Sequence, residues 1–600
     1  MIKRTLHRAF SISLVLTILV SLLPAAALAD SAALSPQAEN NNTSAANTAS
    51  TTQPDAAVDV EQAVIEQMET KGTAGYLIYF RDRPSLAEAE RMDWIQRGHF
   101  VVQQLQSVAQ SSQKNVRAFL DSKGVSYQSF WIDNVILVEE SDITVLDGLL
   151  HFSEVSNIRD RRTEKLIEPA SKDPFNSLEQ LFSIEPNISH VQAPDAWALG
   201  INGTGSVVSS IDTGVRYTHQ ALVGKYRGNL GSGLFDHNYN WFDPYGDHPT
   251  APADDNGHGS HTMGTMVGDD GGSNQIGMAP GAKWIACRGC NTSDCTDAAL
   301  LTCAQFIAAP FNLAGANPDP DLRPEAVNNS WGDCGQSYDP WFRGVVDSWR
   351  AAGIYPVFSN GNSSNCGYSS PPACGTVGNP ARYGNVTGVG ATGQQNGAYA
   401  TFSNRGPTDN TDTENGGGFP TIKPQVAAPG SNIRSSVNTS DTAYEGGWSG
   451  TSMAAPHVTG LTALIFQAGA CLKGNFTATE NIMQQSATIA SGVPGACSGE
   501  GPGQVPNQST GWGEIRALAA VQLALTSCGP TGILAGNVTV AGSGTPIEDV
   551  LVQMIGTEHN FEARTDAAGH FSITLPIGTY TVNFSAYGYM PASFPGVVIT

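Results

Sequence analysis

Hydrophobic and polar positions change their pattern several times along the chain. The amino-terminal 29 residues start with the charges Lys3, Arg4 and Arg8, continue with an apolar run from Ile12 to Leu23, and end in small residues. This order predicts a signal peptide that is removed on export. A membrane anchor is the alternative interpretation, although the run is short for a bilayer span. The sequence has no other run that is long enough to cross a membrane.

The next two stretches differ in their content of large apolar residues. Residues 30–71 are rich in Ala, Ser, Asn and Thr, which predicts a disordered linker. Residues 72–166 predict a compact α+β unit, with a strand at 75–80, an amphipathic helix over 92–120, and further short strands and a second helix. A second polar stretch, 167–187, connects this unit to the rest of the chain.

The two carboxy-terminal regions predict two different folds. In 188–528, the β-runs SVVSSI, KWIAC, AVNNSW, IYPVFS and VTGVGA alternate with Gly-rich loops and helical patterns. This alternation predicts an α/β domain with a parallel sheet and helices on both faces, whose site lies beyond the carboxyl ends of the strands. Residues 531–600 show short alternating runs, which predict a small β-sandwich. The sequence stops inside an apolar run, which leaves two interpretations open: a last strand that ends at Thr600, or a fragment of a longer chain.

Composition narrows the class of partner. The chain has 600 residues, and 31 Lys and Arg against 54 Asp and Glu give a net charge of −23. This length predicts several domains. The acidic balance argues against nucleic acid or an anionic membrane surface as the main partner.

Ten cysteines lie between Cys287 and Cys528, and an even number in one exported domain predicts disulfides. The pairs that close the shortest loops are Cys290–Cys295 and Cys366–Cys374, and we predict both. A zinc site in the cluster that ends at Cys303 is the alternative. Its irregular spacing and the lack of an interleaved histidine argue against it.

The stretch SGTSMAAPHVTG, 449–460, presents the first candidate chemistry. Its apolar spacing predicts a helix that begins near Thr451 or Ser452. Ser452 then lies at a helix amino terminus, where free N–H groups favour an oxyanion. His457 is five residues further on, about 7.5 Å along the axis and on another face of the helix. His457 is therefore a poor base for Ser452.

Two upstream stretches can supply the base. In SSIDTGV, Asp212 ends a predicted strand, and in DDNGHGSHTMGT, His258 begins a predicted helix. A serine hydroxyl is a weak nucleophile that needs an imidazole to take its proton, and the imidazole needs a carboxylate to orient it. The candidate residues occur in the chain order Asp212, His258, Ser452.

The blocks IDTGV, GHGSHTMGT and SGTSMAAPHVTG resemble the three catalytic blocks of the subtilisin-like serine peptidases, the subtilase family, in that family's order. The resemblance covers about 188–528. It implies a subtilisin-like fold and a secreted endopeptidase that works through an acyl-enzyme, with Asp212 as orienting acid, His258 as base and Ser452 as nucleophile. His261 is then a packing residue of the helix.

The resemblance also implies the rest of the site. The oxyanion donors are the backbone N–H of Ser452 and a side-chain amide, for which Asn360 and Asn362 are both available; the family's asparagine follows a glycine, which favours Asn362. Residues implied to bind substrate are Ser330, Trp331, Gly332, Asn360, Gly361 and Gly378. A glycine at 378 leaves room for a large apolar side chain, whereas Trp331 is larger than expected.

Two flanking units resemble known companions of such enzymes. The unit 72–166 resembles the inhibitory propeptide of subtilases, which implies a zymogen that cuts itself within 167–187. Residues 531–600 resemble carboxypeptidase regulatory-like, transthyretin-like domains. The chemistry requires no cofactor, but the acidic loop Asp409–Glu414 could bind structural calcium; a solvated loop is the alternative. Expected partners are protein or peptide substrates and the chain's own propeptide.

Two other functions stay open at this point. GTSMA resembles the G-x-S-x-G turn of α/β-hydrolase esterases, which need an acid and a histidine after the serine. The histidines after Ser452 are His457, His559 and His570, and the last two lie in the predicted sandwich. A binding module without catalysis is the third interpretation, if the sandwich is the working part.

Overall fold

The computed structural model describes residues 58–173, 184–335, 337–408, 422–501, 503–541, 543–556, 560–586, 589 and 591–599. The predicted signal peptide, 1–29, and the acidic loop Asp409–Glu414 lie outside these ranges. The chain forms two compact units that divide between Thr531 and Gly532. Each unit is described by itself.

A sheet of five strands opens the first unit, in the order β1-β5-β2-β4-β3, and the pairings among β2, β3, β4 and β5 are antiparallel. Its strands are β1 Asp59–Val60, β2 Thr73–Phe80, β3 Tyr127–Phe130, β4 Val135–Asp142 and β5 Val155–Asp160. Its helices are α1 Gln62–Lys71, α2 Trp94–Ser112, α3 Lys114–Lys123 and α4 Ile143–Leu149. This sheet and its helices, residues 59–160, are called the amino-terminal domain below.

Two predictions for this region need correction. The predicted linker 30–71 is too long, because α1 is ordered: Val64 and Met68, four residues apart, are buried. The predicted helix 92–120 is two helices that meet at Gln113. The buried Gln113 amide donates to the Phe130 carbonyl (3.1 Å) and to the Asn134 side chain (3.0 Å), and this tertiary contact has no signal in the local periodicity.

The remainder of the first unit, called the larger domain below, is built on a seven-stranded parallel sheet in the order β11-β12-β8-β14-β16-β17-β18. The strands from 163 onward are β6 Thr163–Leu166, β7 Ser171–Lys172, β8 Val207–Asp212, β9 Asn229–Gly231, β10 Leu234–Phe235, β11 Trp241–Phe242, β12 Lys283–Arg288, β13 Asp294–Thr296, β14 Ala326–Asn329, β15 Trp331–Gly332, β16 Tyr355–Ser359, β17 Thr387–Thr392, β18 Val426–Pro429, β19 Ile433–Ser436 and β20 Tyr444–Ser449.

Helices cover both faces of this sheet, as predicted. They are α5 Pro186–His190, α6 Ala193–Ala198, α7 His258–Val267, α8 Asp297–Ala308, α9 Arg343–Ala351, α10 Thr451–Ala468, α11 Phe476–Ser486 and α12 Ala517–Ser527. Alternate residues of β12 enter two different apolar clusters: Trp284 and Ala286 join the cluster that contains α10, and Ile285 and Cys287 join the cluster that contains α8 and α9. This alternation explains why the strands read as continuous apolar runs.

All ten cysteines form disulfides, so the zinc interpretation is wrong. The pairs are Cys287–Cys303, Cys290–Cys295, Cys334–Cys366, Cys374–Cys497 and Cys471–Cys528. The prediction of Cys290–Cys295 is confirmed and that of Cys366–Cys374 is wrong. Tyr368 Oη donates to the Cys334 carbonyl (2.8 Å), so the loop after Cys366 folds against the segment that follows β15. Spatial neighbours, rather than the shortest loop, determine the partner there.

The second unit is the predicted β-rich region. Its strands are β21 Thr531–Asn537, β22 Leu551–Ile555, β23 Asn560–Arg564, β24 His570–Pro576, β25 Gly578–Ser585 and β26 Ala592–Ile599. They form a two-stranded sheet and a four-stranded antiparallel sheet. Alternate residues of β25, Tyr580, Val582 and Phe584, enter its core. Among the described helices of the whole chain, none is long and apolar enough to cross a membrane.

Candidate active site

Asp212 and His258 meet at the carboxyl end of the parallel sheet. Asp212 is the last residue of β8, and His258 is the first residue of α7. His258 Nδ1 lies 2.8 Å from Asp212 Oδ1, and both side chains are buried. Because an ionised carboxylate only accepts hydrogen bonds, Nδ1 carries the proton in the neutral imidazole, and Nε2 then keeps its lone pair. His258 Nε2 has no hydrogen-bond partner among the described residues.

The charge balance around His258 favours its protonated form. Burial alone lowers the pKa of His258, but the carboxylate of Asp212 raises it, and Glu168 and Asp254 add to that effect. The net pKa lies above the ordinary value for histidine. The imidazole is therefore set up to hold a proton that it has taken from a neighbour.

Asp254 organises the turn that presents His258, and sequence reasoning missed it. Its Oδ1 accepts from the N–H of Gly257 (2.8 Å), and its Oδ2 accepts from the N–H and hydroxyl of Ser260 (2.8 and 2.6 Å). A Cβ on Gly259 would lie 2.0 Å from the Gly214 carbonyl oxygen, so only glycine lets α7 approach the loop after Asp212. The only sequence signal was an acidic residue shortly before the glycines, which is also typical of ordinary turns.

Ser452 lies in the first turn of α10, as the apolar spacing predicts. Its hydroxyl donates to the carbonyl oxygen of Ile167 at 2.6 Å, and its side chain is fully buried. His457 is bound elsewhere: its Nδ1 lies 2.8 Å from the Met453 carbonyl, and its Nε2 lies 2.8 Å from the Asn187 amide. Burial lowers the pKa of His457 to about 4. These contacts agree with the prediction that His457 does not serve Ser452.

The two candidate asparagines point to different places. Asn362 Nδ2 donates to the Glu168 carbonyl (2.8 Å), and its Oδ1 accepts from both the N–H and the hydroxyl of Thr451 (2.9 Å each). Thr451, which sequence reasoning missed, therefore fixes the orientation of this amide. Asn360 Nδ2 donates to the Asn404 carbonyl (2.7 Å), and Gly361, between the two asparagines, adopts φ +95°.

Strand β6 of the amino-terminal region occupies the cleft beside Ser452. It lies between two short strands of the larger domain, in the order β13-β6-β15, and both pairings are antiparallel. Trp331 lies opposite Leu166 and Gly332 opposite Lys165, and the Ser330 carbonyl accepts from the Ile167 N–H (2.9 Å). The segment with Ser330, Trp331 and Gly332 therefore pairs with an extended backbone.

The side chain of Trp331 lies within an aromatic cluster, packed edge-on against Phe342 and Phe358 with ring centroids 5.1 and 5.5 Å apart. This burial explains how a large residue fits at that position. Gly378 packs against Asp333: a Cβ there would lie 2.1 Å from the Asp333 carbonyl oxygen. No group of three His, Cys, Asp or Glu side chains that could hold a metal ion occurs within the described ranges.

Beyond Ile167 the chain turns and continues past Ser452 as β7. Ser171 lies opposite Ser449 and Lys172 opposite Trp448 of β20, and the Lys172 ammonium lies 3.8 Å from the centre of the Trp448 ring. His261 stacks with Trp448 at 4.4 Å. The chain therefore crosses Ser452 between two β-paired segments.

Comparisons with known proteins agree with this geometry. Residues 203–513 match the Subtilase family, and 533–600 match the Carboxypeptidase regulatory-like domain. Bacillopeptidase F of Bacillus subtilis is 34% identical over 569 residues, which cover 90% of this chain and 37% of that protein. The chain thus spans well under half the length of that relative. Subtilisin Savinase of Lederbergia lenta is 32% identical over 48% of this chain and 85% of its own length.

Among solved structures, fervidolysin from Fervidobacterium pennivorans, described as a keratinolytic enzyme related to subtilisin, matches with a TM-score of 0.52 at 19% identity. The match covers 88% of this chain and 76% of that structure, and it supports the fold alone. The family match extends over more than half of the chain and includes the segments that hold Asp212, His258 and Ser452. This chain therefore belongs to the subtilase family of serine endopeptidases.

Proposed function

We propose that this chain is a secreted endopeptidase, made as a zymogen, in which Ser452, His258 and Asp212 form the catalytic triad. The observation that carries the proposal is the course of residues 163–172, which cross Ser452 as an extended backbone. Ser452 Oγ contacts the Ile167 carbonyl and Asn362 contacts the next carbonyl, Glu168. The segment that follows the amino-terminal domain thus lies in the site in the manner of a substrate. We call residues 59–160 the prosegment domain, and this domain together with the chain up to Ile167 the prosegment.

The chemistry follows from the protonation of His258. Its free Nε2 takes the proton of Ser452 while Oγ attacks a carbonyl carbon, and the positive imidazolium is stabilised by Asp212. The developing oxyanion is bound by the Asn362 amide and by the N–H of Ser452 at the start of α10. His258 then gives the proton to the leaving nitrogen, and water removes the acyl group from Ser452. Subtilases need no cofactor for this chemistry.

The bond we expect to be cut is Ile167–Glu168. The hydroxyl of Ser452 touches the Ile167 carbonyl, and the Ser330 carbonyl accepts from the Ile167 N–H. The Asn362 amide contacts the Glu168 carbonyl here, so this cut requires it to move to the Ile167 carbonyl, where the oxyanion forms. The alternative bond, Glu168–Pro169, has a proline nitrogen as its leaving group, and its ring restricts the residue before it. The cut lies inside the predicted linker 167–187. Calcium, if it binds, is expected at Asp409–Glu414.

Intact-mass measurement of the purified secreted protein tests this proposal. The native chain is expected to lose everything up to Ile167, whereas Ser452→Ala keeps it, because the same nucleophile performs both cleavages. Labelling by a fluorophosphonate at Ser452 with casein cleavage supports the peptidase, and labelling with cleavage of esters only supports an esterase instead. A Ser452→Ala chain that matures normally in a protease-deficient host contradicts self-processing.

A further inference from the structure

Glu164 is buried in the cleft without a cation of its own. In β6, the side chains of Glu164 and Leu166 face inward, and those of Thr163 and Lys165 are exposed. Glu164 is only 4% exposed, and its Oε2 has no hydrogen-bond partner among the described residues. A buried carboxylate normally has a paired charge or several donors, so this environment is unusual for the ionised form.

The charged groups that surround Glu164 do not compensate for its burial. Asp333 and Asp339 are both near and repel a negative charge. Arg162 is a cation that favours the ionised form of Glu164, but its guanidinium is already paired with Glu61 (2.9 Å) and with Asp339 (3.3 Å). The arrangement therefore favours a neutral side chain at this position.

Aromatic groups complete the surroundings. The Trp341 indole N–H is near enough to lower the pKa of Glu164 but lacks hydrogen-bond geometry, and the phenol of Tyr383 also lies near. The indole N–H of Trp341 is buried without a hydrogen-bond partner among the described residues. Burial, with Asp333 and Asp339, raises the pKa of Glu164 to about 8. The site therefore places an unused donor beside a buried carboxyl, which suits a neutral carboxyl or carboxamide group.

We propose that the subsite that holds Glu164, the fourth residue before the cut bond, selects an uncharged carboxyl or carboxamide side chain, and that ionisation of Glu164 loosens the prosegment's hold on the cleft. This inference rests on the proposed function and adds a substrate preference and a pH response to it.

The direction of the pH response follows from linkage. A free glutamate has a pKa near 4.5 and the bound one near 8, so binding takes up a proton between these values. The affinity for a Glu-containing segment is then highest below about pH 4.5, falls by roughly tenfold per pH unit up to about pH 8, and is constant above that. Acid conditions keep the prosegment bound, and neutral to alkaline conditions release it.

Peptide substrates test the subsite directly on the mature enzyme. The peptide Thr-Glu-Lys-Leu-Ile, with a chromogenic amide after Ile, is compared with versions that carry Gln or Leu in place of Glu. We expect the ratio of kcat/KM for the Gln peptide to that for the Glu peptide to rise roughly tenfold per pH unit between pH 5 and pH 8. A ratio that stays constant over this range, or a Leu peptide that is cleaved far better than the Gln peptide, overturns the proposal. If no peptide is cleaved and fluorophosphonate does not label Ser452, the proposed peptidase fails instead.

Activation of the full chain tests the pH response. In the native chain, the lag before peptide hydrolysis is expected to shorten strongly from pH 5 to pH 8. Glu164→Gln is expected to keep a long lag at both pH values, because the amide stays neutral. Lys165→Gln, on the exposed side of the same strand, is the control and should keep the native pH dependence. Equal pH dependence in Glu164→Gln and the native chain overturns the proposal, and if that variant does not fold, the peptide ratios decide alone.

Discussion

The two strands on either side of Ser452 are held to the larger domain in different ways. Before Ser452, β6 is bound along both edges, with three residue pairs to β13 and two to β15. After Ser452, β7 is bound along one edge, with two residue pairs to β20. Both strands belong to the ten residues 163–172 that cross Ser452. However, β6 is the central strand of one three-stranded sheet, and β7 is an edge strand of another.

This difference indicates which product of the cut stays bound. A main-chain hydrogen bond contributes about 0.5–1.5 kcal/mol, so a strand paired on two edges is held more tightly than one paired on one edge. The amino-terminal product also carries the whole prosegment domain, whereas the new amino terminus holds only β7. We therefore expect the prosegment to remain as an inhibitor after cleavage while the other end leaves the cleft.

The largest effect on catalysis is expected at Asn362, which contacts the chain between the two strands, at the Glu168 carbonyl. Asn362→Ala removes the donor that is aimed at a carbonyl of the crossing chain. It should lower kcat by about 10²–10³, or about 2.7–4 kcal/mol, with little change in KM; that size is the known effect of removing such a donor in a subtilisin, a relative of this chain. Steady-state kinetics on an extended peptide amide measure it.

Asn360→Ala is the matched control for Asn362. Its amide is bound to the Asn404 carbonyl rather than to the crossing chain. Loss of that buried hydrogen bond should cost about 1–3 kcal/mol of stability and leave kcat of the folded enzyme nearly unchanged. A large fall of kcat in Asn360→Ala, with none in Asn362→Ala, would show that the oxyanion assignment is reversed.

The next effect concerns two of the ion pairs between the prosegment side and the larger domain, one buried and one exposed. Arg161 donates Nε and Nη2 to the two oxygens of Asp297 (2.7 and 2.8 Å), and Asp297 is fully buried. Arg161→Ala should loosen the cleaved prosegment by about 1.5–3 kcal/mol, which is roughly 10- to 100-fold, and should shorten the activation lag accordingly.

The control is the exposed pair Lys165–Asp294, with side chains 65% and 50% exposed. Its removal in Lys165→Gln should change the lag by only a few-fold, because solvent-exposed pairs contribute about 0–1 kcal/mol. Equal effects of the two substitutions on the lag would mean that burial does not decide the strength of these pairs.

The comparison also shows what local sequence could predict. The three proposed triad residues and the five main β-runs carry strong local signals, because Asp212 ends an apolar strand and His258 and Ser452 lie at the starts of apolar helices. Asp254 and Thr451 position His258 and Asn362 but resemble ordinary turn and helix-start residues. The pairing of β6 with β13 and β15 had no signal, because it depends on contacts between segments more than 120 residues apart.

The disulfides also show that pairs set by local sequence can be predicted, whereas pairs set by long-range contacts cannot. Cys290 and Cys295 are five residues apart and close a tight turn, so their proximity in sequence was enough to predict the pair. Cys366 and Cys374 are also near each other in sequence, but each is carried to a distant partner by the loops around it.

A smaller effect is expected from the disulfide that supports β13. The Cys290 N–H donates to the Asp212 carbonyl (3.1 Å), the Ser293 carbonyl accepts from the Leu166 N–H (2.8 Å), and Cys295 lies opposite Glu164. Replacing Cys290 and Cys295 by Ser should raise KM about 3- to 10-fold for peptides long enough to reach β13, because one or two hydrogen bonds weaken. Peptides of two residues should show no change.

The matched control for this disulfide is the double substitution of Cys471 and Cys528, which removes a crosslink between the segments that follow α10 and α12. It should alter thermal stability without changing the dependence of KM on peptide length. If replacing Cys290 and Cys295 raises KM equally for short and long peptides, the proposal that this disulfide supports β13 is wrong.

The smallest effect is expected from the charge of Glu168, which lies between the two strands, just after the expected cut. Asp212 and then Glu168 raise the pKa of His258 against the effect of burial. His258 must be neutral to accept the proton of Ser452, so self-processing falls as pH drops below that pKa. Glu168→Gln removes a negative charge that favours the imidazolium and should move the acidic limb of the processing rate to lower pH. Glu168→Asp keeps the charge and should leave the acidic limb of the processing rate near its native position.

This acidic limb is measured as the rate of the first cleavage of the full chain at a series of pH values. A shift to higher pH in Glu168→Gln would contradict the placement of this carboxylate beside His258, and an equal shift in both variants would trace the effect to side-chain shape rather than charge.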